Sequence, residues 1–470
     1  MGQAVARRES GRWTQSSAVI PANARVQRGW LLQRGRRLAS RAARIDPTPS
    51  AALLFPTRMF SGLVCIVCGR SHPPGDYQTC RVCGPEGILD ARFDYDAAKA
   101  ILTSEALSRR GRDMWRYLEL LPVPAGVRRP AVHVGWTPVH EAPRLAGAVG
   151  VRRLFLKDDG RNPTSSFKDR ASAVGVAKAL EFGYQAVACA STGNAASSLA
   201  GMAASVGLPA YIFVPDRAPE PKIAQLLMFG ATVFRVRGTY EQAFDLCRAA
   251  CDRFKWYNRN SDTNPFLVEG KKTAGLEIAE QFSRGALLDG ALPDWVAVSV
   301  GDGCTIGGIT KGLHEFKRLG LAAAMPRMLG VQAAGASPIV RAYESKADVV
   351  PSAADTVADS IAVGTPRNWR RALAWVRASQ GAMIAVPDDA IVEAMRMTAR
   401  LGAVFAEPAG AAAVAGVRAA VAAGVVPAGA TVLAVITGNG LKDTRAAMRA
   451  AGQPHDIRSD LAAVADIVER

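Results

Sequence analysis

The chain has 470 residues, 49% of them hydrophobic, and a formal net charge of +17. A chain of this length and composition can bury a large core and exceeds the usual size of one domain, so we expect two or more domains. The longest apolar run, residues 409–426, is interrupted by Arg418 and by glycines, so it predicts a buried, packed pair of helices and no membrane span.

The first 58 residues differ in composition from the rest. They contain eleven arginines and no lysine, with Glu9 and Asp46 as acids, so they carry +9 of the total charge. Four prolines and little periodicity are typical of a disordered tail. Three interpretations stay open: an extension of the gene model upstream of a start at Met59, a targeting peptide, or an arm that binds nucleic acid or another partner.

Two Cys-x-x-Cys pairs follow the tail. Cys65 pairs with Cys68 and Cys80 with Cys83, and eleven residues separate the two pairs. A glycine follows each pair, as the turn of a metal-binding knuckle requires, and four thiolates at this spacing predict a tetrahedral zinc site. The alternatives are a disulfide or unrelated cysteines.

We therefore assign residues 59–92 to a small zinc-ribbon-like segment. His72 lies between the cysteine pairs and could replace one ligand. Reduced thiols and a metal site both favour a cytoplasmic protein.

From about residue 150 onward, short apolar segments alternate with helical patterns. This alternation predicts βαβ units and a mostly parallel sheet, that is, an α/β fold. The clearest predicted elements are a strand at 210–215, a helix at 222–229, a strand at 232–236 and a helix at 240–254.

The segment Asn-Pro-Thr-Ser-Ser-Phe-Lys-Asp-Arg at 162–170 places Lys168 where a predicted strand at 154–157 gives way to a helix at 171–180. A lysine there can hold an aldehyde cofactor, because the positive end of the helix dipole helps to keep the amine unprotonated. The alternative is an exposed lysine in a Lys-Asp-Arg cluster that opens a helix.

Three glycine-rich turns lie at similar positions, at 191–196, 301–308 and 437–443, each after an apolar strand and before a helical pattern. Such turns let backbone N–H groups close on a phosphate. One such turn is usually a tight connection, but together with the lysine segment they form a specific set.

These motifs are similar to those of the fold-type II pyridoxal phosphate enzymes, the tryptophan synthase β-subunit superfamily, and most similar to threonine synthases within it. The similarity covers residues 60–450 and includes the following further segments: Met114-Trp115-Arg116-Tyr117, Leu120-Leu121-Pro122, Trp136-Thr137-Pro138, Glu269-Gly270-Lys271-Lys272-Thr273 and Glu407-Pro408-Ala409-Gly410. The resemblance implies two doubly wound α/β domains within a catalytic region at 93–460, the smaller domain at about 180–290.

The resemblance also implies roles for individual residues. Lys168 would form a Schiff base with pyridoxal phosphate and move protons at Cα and Cβ, and Asn194 would contact the phenolic oxygen of the cofactor. Thr437 would face the pyridine nitrogen, where a hydroxyl makes the cofactor a milder electron sink than a carboxylate would. The cofactor phosphate would lie on Gly301, Asp302, Gly303, Cys304 and Thr305, and the substrate carboxylate on Ser191, Thr192 and Ala195.

The implied reaction is that of threonine synthase, a carbon–oxygen lyase: O-phosphohomoserine and water give threonine and phosphate. The alternative is β-elimination or β-replacement on serine, threonine or an O-activated serine. We expect a small amino acid as substrate, a homodimer, and no membrane partner. A nucleic-acid partner is not expected, because the basic tail offers only Trp13 and Trp30 as aromatic support.

The chain departs from the threonine synthases at the expected phosphate ligand of the substrate. The family usually has an arginine at the position of Leu267, and leucine cannot donate charge-assisted hydrogen bonds. Lys271, Lys272 or Arg259 could supply the missing charge. The phosphate loop departs too, with Asp302 and Thr305 where asparagines are common, and this pattern is nearer to that of relatives that use O-acetylserine.

Overall fold

The computed structural model describes residues 59–216, 220–260, 263–284 and 287–469, so the predictions for the basic tail lie outside the described residues. The strands are β1 (Phe60–Cys65), β2 (Ser71–His72), β3 (Leu89–Phe93), β4 (Val139–Glu141), β5 (Arg153–Asp158), β6 (Val187–Ala190), β7 (Ala210–Pro215), β8 (Thr232–Val236), β9 (Tyr257–Asn258), β10 (Trp295–Ser299), β11 (Arg327–Ala333), β12 (Ala382–Val386) and β13 (Thr431–Ile436).

The α-helices are α1 (Tyr95–Ile101), α2 (Ser104–Ser108), α3 (Pro143–Val149), α4 (Lys168–Glu181), α5 (Asn194–Ser205), α6 (Glu220–Met228), α7 (Tyr240–Phe254), α8 (Phe266–Ser283), α9 (Cys304–Arg318), α10 (Pro338–Ser345), α11 (Trp369–Ala378), α12 (Asp388–Gly402), α13 (Pro408–Ala422), α14 (Thr444–Ala451) and α15 (Leu461–Val468). None of the helices in the described ranges combines the length and the apolar character that a bilayer crossing requires.

The largest sheet has the order β12-β11-β10-β13-β5-β4, and its strands are parallel except for β4, which pairs antiparallel with β5 at one edge. Its central strands are apolar on both faces. In β10, Val296 and Val298 contribute to one hydrophobic cluster, whereas Trp295 and Ala297 contribute to another. Because side chains alternate along a strand, this sheet is covered by helices on both sides, as in an α/β fold.

A second, four-stranded sheet has the order β8-β7-β6-β9, and all its pairs are parallel. It is built from residues 187–258, and helix α7 packs against it. Helix α7 begins with a capping box, in which Thr239 and Gln242 exchange side-chain and backbone hydrogen bonds. The predicted α/β alternation is therefore confirmed. The observed bounds of β7, β8 and α7 are the same as those predicted from the sequence, at 210–215, 232–236 and 240–254.

The small N-terminal sheet consists of β1 with β2 and β3 on either side, all antiparallel. It carries the cysteine pairs and docks on the catalytic region through charged side chains: Lys311 of α9 donates to the Ala91 carbonyl at 2.7 Å, and Arg371 of α11 donates to the Leu89 carbonyl at 2.6 Å.

One prediction was wrong. Residues 409–426 do not form a pair of helices, because α13 runs without a break from Pro408 to Ala422 and packs against α12 and the strands of the largest sheet. The small residues that suggested a break instead let the helix lie close to the sheet: a side chain on Gly416 would collide with Val331 of β11.

A buried network of charges joins α4, α8 and the end of β5. Arg170 donates to Asp159 at 2.6 Å and to Glu277 at 2.6 Å, and Lys157 donates to Glu277 at 2.9 Å. All four side chains are fully buried, and their charges balance. Burial alone would raise the pKa of Glu277, yet the charges of Arg170 and Lys157 hold it at about 2.

We predict that Glu277→Gln lowers the free energy of unfolding by about 3–5 kcal/mol, because it leaves Lys157 and Arg170 buried with too little negative charge. Denaturant unfolding at neutral pH measures the effect. The matched control is Glu105→Gln, which removes an exposed pair with Arg109 and should change stability little. Equal effects of the two substitutions would contradict the role of the network.

Candidate active site

Lys168 is the first residue of α4, and its side chain remains partly accessible. Surrounding protein atoms exclude water from the amine, and the positive charge of Lys271 acts in the same direction; together they lower the pKa of Lys168 to about 8. A substantial fraction of the amine is therefore neutral and nucleophilic near physiological pH.

The two residues after Lys168 are committed to other contacts. Asp169 is buried and accepts hydrogen bonds from the backbone N–H of Thr164 at 2.7 Å and from its hydroxyl. Arg170 belongs to the buried charge network. Asp169 and Arg170 are thus buried and Lys168 itself is half-buried, so the alternative of an exposed lysine in a charged cluster does not describe this segment.

The loop after β13 is bonded to the segment that carries Lys168. The backbone N–H of Phe167 donates to the Thr437 carbonyl at 2.8 Å, and Ser166 forms an antiparallel bridge with Gly438. Ser165, just before this bridge, has φ +65, a left-handed conformation that is uncommon for a side chain of this kind. Thr437 therefore lies directly beside the lysine segment.

Asn194, the first residue of α5, donates from Nδ2 to both carboxylate oxygens of Glu407 at 2.9 Å. Glu407 is buried at the start of α13, and its backbone N–H donates to the Gly438 carbonyl at 3.0 Å. Burial raises the pKa of Glu407, while the hydrogen bond from Asn194 acts against the rise. Glu407 thus connects Asn194 to Gly438, the residue that follows Thr437.

The turn before α5 is open. Ser191, Thr192 and Ala195 are partly exposed, and the Ser191 hydroxyl accepts a hydrogen bond from the backbone N–H of Gly193 at 3.1 Å. A Cβ atom placed on Gly193 would meet no neighbour within 4 Å. The structure therefore leaves room for a ligand beside these residues.

The turn at 301–305 leads into α9. Gly303 has φ +97, which a side chain would strain, and Cys304 and Thr305 form the first turn of the helix. The Asp302 carboxylate is turned away, because it accepts from the backbone N–H of Arg367 at 2.7 Å and from Asn368 Nδ2 at 2.6 Å. Asp302 and Gly303 can therefore offer a phosphate their backbone groups, but Asp302 does not turn its carboxylate toward it.

The lysines of α8 differ in their surroundings. Lys272 is buried in ion pairs with Glu269 at 2.6 Å and Glu315 at 2.9 Å, so its charge is neutralised away from Lys168. Lys271 instead donates from Nζ to Cys304 Sγ. Of Lys271 and Lys272, which the sequence offered as possible phosphate ligands, only Lys271 has no ion pair with a carboxylate among the described residues.

Leu267 is fully buried and faces Gly175 of α4, where an added Cβ would lie 2.8 Å from its Cδ2. Arg259 lies against the same glycine, is buried, and donates to the Ser172 hydroxyl at 3.0 Å. Its charge also lowers the pKa of Lys168, although less than burial and Lys271 do. Arg259 is therefore close to the position where the family's arginine would stand.

Sequence reasoning missed two contributors to the site. Glu407 was noticed only as part of a family motif, and no local signal indicated that its carboxylate would accept from Asn194. Lys442 lies within the last glycine turn and donates to Ser197 at 2.9 Å and to Gln225 at 2.7 Å, so it joins that turn to α5 and α6.

The four predicted metal ligands come together. The sulfur atoms of Cys65, Cys68, Cys80 and Cys83 all lie within 4.8 Å of one another, with Cys65 and Cys83 3.9 Å apart and Cys68 and Cys80 3.8 Å apart. The cysteines are free thiols. The glycines after the two pairs both have positive φ, +72 at 69 and +61 at 84, as the knuckle turns require.

His72 is within 3.4 Å of Cys80 Sγ through its Nε2. The backbone N–H of Cys83 is the main influence that lowers the pKa of Cys80 to about 6, and His72 contributes in the same direction. His72 therefore lies where it can hydrogen-bond to a ligand sulfur, outside the group of four.

Comparisons with known proteins identify the family of this chain. The family model described as pyridoxal-phosphate dependent enzyme matches residues 131–438. The threonine synthase of Methanosarcina acetivorans is 39% identical over 411 residues, which cover 86% of this chain and 98% of that protein. The threonine synthase of Methanocaldococcus jannaschii is 37% identical over 401 residues, covering 84% and 96% respectively.

Among solved structures, the processed form of threonine deaminase isoform 2 from Solanum lycopersicum has the same fold. It aligns with a TM-score of 0.57 at 23% sequence identity, covering 67% of this chain and 88% of that one. The sheets, the glycine turns and these similarities agree with one another, and the chain belongs to the fold-type II pyridoxal-phosphate dependent enzymes and, within them, to the threonine synthase family.

Proposed function

We propose that this chain converts O-phosphohomoserine and water to threonine and phosphate. The observation that carries the proposal is the position of Lys168, with a pKa of about 8, in one of the four turns that meet at the site, in a chain that is 39% identical to the threonine synthase of Methanosarcina acetivorans. The residues present fit pyridoxal phosphate: a nucleophilic amine, an open space beside Gly193, and a pocket in which Lys168, Lys271 and Arg259 favour a dianion.

In this proposal, Lys168 holds the cofactor and Asn194 contacts its phenolic oxygen, with Glu407 fixing the amide. Thr437 faces the ring nitrogen, and the backbone of 301–305 holds the phosphate. The bound cofactor supplies an electron sink for the charge that proton removal leaves on the substrate. The Ser191 and Thr192 hydroxyls and the backbone at Ala195 bind the substrate carboxylate.

Lys168 then moves the protons. Its neutral amine accepts the proton of Cα, releases it, and then accepts one of the Cβ protons, after which the phosphate group leaves from Cγ. Water adds its hydroxyl group at Cβ, and one proton returns to each of Cγ and Cα while the third leaves with the phosphate, so one water is consumed and one phosphate is released. Arg259, buried next to Leu267, is the cation that we assign to the substrate phosphate in place of the family's arginine.

We predict that covalent uptake of pyridoxal phosphate by the cofactor-free protein accelerates with pH through about 8 and then levels off. Only the neutral amine reacts, so the rate follows the deprotonation of Lys168, whose pKa is lowered to about 8. Borohydride reduction at timed intervals, followed by peptide mass analysis, measures the uptake. The label should be absent in Lys168→Ala; a label on another lysine, or a rate that keeps rising toward the pKa of an ordinary lysine, would contradict the assignment.

We also predict that the purified enzyme forms threonine from O-phosphohomoserine and that L-serine, L-threonine and O-acetylserine are poor substrates. Product analysis with the four substrates side by side measures this. Arg259→Gln should raise KM for O-phosphohomoserine about tenfold or more, because it removes a charge-assisted hydrogen bond to phosphate. A keto acid or a β-replaced amino acid from one of the other substrates, with no threonine, would instead establish the β-elimination or β-replacement alternative.

We propose further that Cys65, Cys68, Cys80 and Cys83 hold one structural zinc ion in a zinc ribbon. A zinc ion bound tetrahedrally to four sulfurs at about 2.3 Å places those sulfurs about 3.8 Å apart. This separation agrees with the 3.9 Å between the sulfurs of Cys65 and Cys83 and the 3.8 Å between those of Cys68 and Cys80. Thiols that bind zinc must stay reduced, which supports a cytoplasmic location.

Metal analysis of the purified protein should give about one zinc ion per chain. The double substitution Cys68→Ser with Cys83→Ser should lose it, because two oxygen atoms replace the thiolate ligands. Cys247→Ala is the matched control, since this cysteine is buried in α7 outside the cluster. Zinc retained at full stoichiometry in the double variant would refute the site.

A further inference from the structure

Lys271 is a fully buried cation, and no carboxylate among the described residues pairs with it. Its polar contact is Cys304 Sγ, a weak acceptor. Burying an ammonium group without a counter-charge is costly, so such a group normally has an anionic partner in the functional state of a protein. The neighbouring Lys272 shows the usual solution, with two carboxylates around its amine.

The packing of α8 on α9 keeps Lys271 in place. A Cβ atom on Gly275 would collide with the Ile309 carbonyl, and one on Gly312 with the Lys272 carbonyl, so the two helix backbones are in direct contact. Gly308 of α9 lies against Lys271: a Cβ atom added to Gly308 would be 3.0 Å from the Cβ atom of Lys271. The side chain of Lys271 runs along α9 to its first residue, Cys304, to which its Nζ donates.

The start of α9 is also where a phosphate is expected. Backbone N–H groups of the turn at 301–305 are free of the Asp302 carboxylate, which is held by Arg367 and Asn368 on the other side. The helix dipole adds partial positive charge at this end. The buried, unpaired ammonium of Lys271 points to the same place, so two independent features converge on one anion.

We propose that Lys271 binds the 5′-phosphate of pyridoxal phosphate, together with the backbone of residues 301–305. This inference rests on the cofactor assigned under the proposed function. The same chemistry could serve the phosphate ester of the substrate, but the contact with Cys304 places Lys271 inside the turn assigned to the cofactor, whereas Arg259 lies next to Leu267.

The test compares pyridoxal 5′-phosphate with pyridoxal, which lacks the phosphate. Both are titrated into the cofactor-free protein, and the absorbance of bound ligand gives the dissociation constants. Lys271→Met should weaken pyridoxal phosphate binding about ten- to a hundredfold and leave pyridoxal binding within about threefold. Lys271→Arg should retain most of the affinity. Lys178→Met, which removes another buried lysine ion-paired within α4, is the matched control and should change neither constant.

Equal losses for the two ligands, or no loss for pyridoxal phosphate, would overturn the inference. Lys271→Gln serves as the second neutral variant if Lys271→Met does not fold. Unchanged cofactor affinity with a raised KM for O-phosphohomoserine would assign Lys271 to the substrate phosphate instead. A phosphate-dependent loss in a protein that makes no threonine would leave the inference intact and refute only the proposed reaction.

Discussion

The site depends on the buried pairing of Arg170 with Asp159 and Glu277. These contacts tie the first turn of α4 to the end of β5 and to α8, and Asp169 ties the same turn to Thr164. Lys168 directly precedes Asp169 and stands two residues before Arg170, so these contacts fix the backbone that carries it, whereas its amine takes part in neither. Buried ion pairs contribute little net stability, but removing one partner is costly, and this makes the geometry difficult to relax.

Charge also organises the pocket. The network around Arg170 is balanced, and Lys272 is neutralised by two carboxylates, whereas the charges of Lys271 and Arg259 act on Lys168. Burial, together with these positive charges, lowers the pKa of Lys168, and the same charges favour dianionic ligands in this region. A bound phosphate would thus offset the part of the repulsion that comes from these charges.

The turns of the site share a topological origin. Three of the turns follow parallel strands of the largest sheet: the turn before Lys168 follows β5, the turn before Cys304 follows β10, and the turn before Gly440 follows β13. The fourth turn, before Asn194, follows β6 of the four-stranded sheet. Carboxyl ends of parallel strands meet at one edge, and the helices that follow begin there, so backbone N–H groups accumulate at that edge. The hydrogen bond between Asn194 and Glu407 joins the two sheets across it.

The sequence by itself determined the α/β alternation, the strand-to-helix position of Lys168 and the knuckles of the cysteine pairs, because these are local: they depend on periodicity, on glycine with positive φ and on short spacings. Only the tertiary structure decided that Glu407 supports Asn194 and that Lys271, unlike Lys272, enters the pocket. The two lysines are adjacent on α8, and neighbouring residues on a helix point about 100° apart. Which of them meets the pocket was set by the close contact of α8 with α9 at Gly275 and Gly312, a contact between segments distant in sequence that no local pattern encodes.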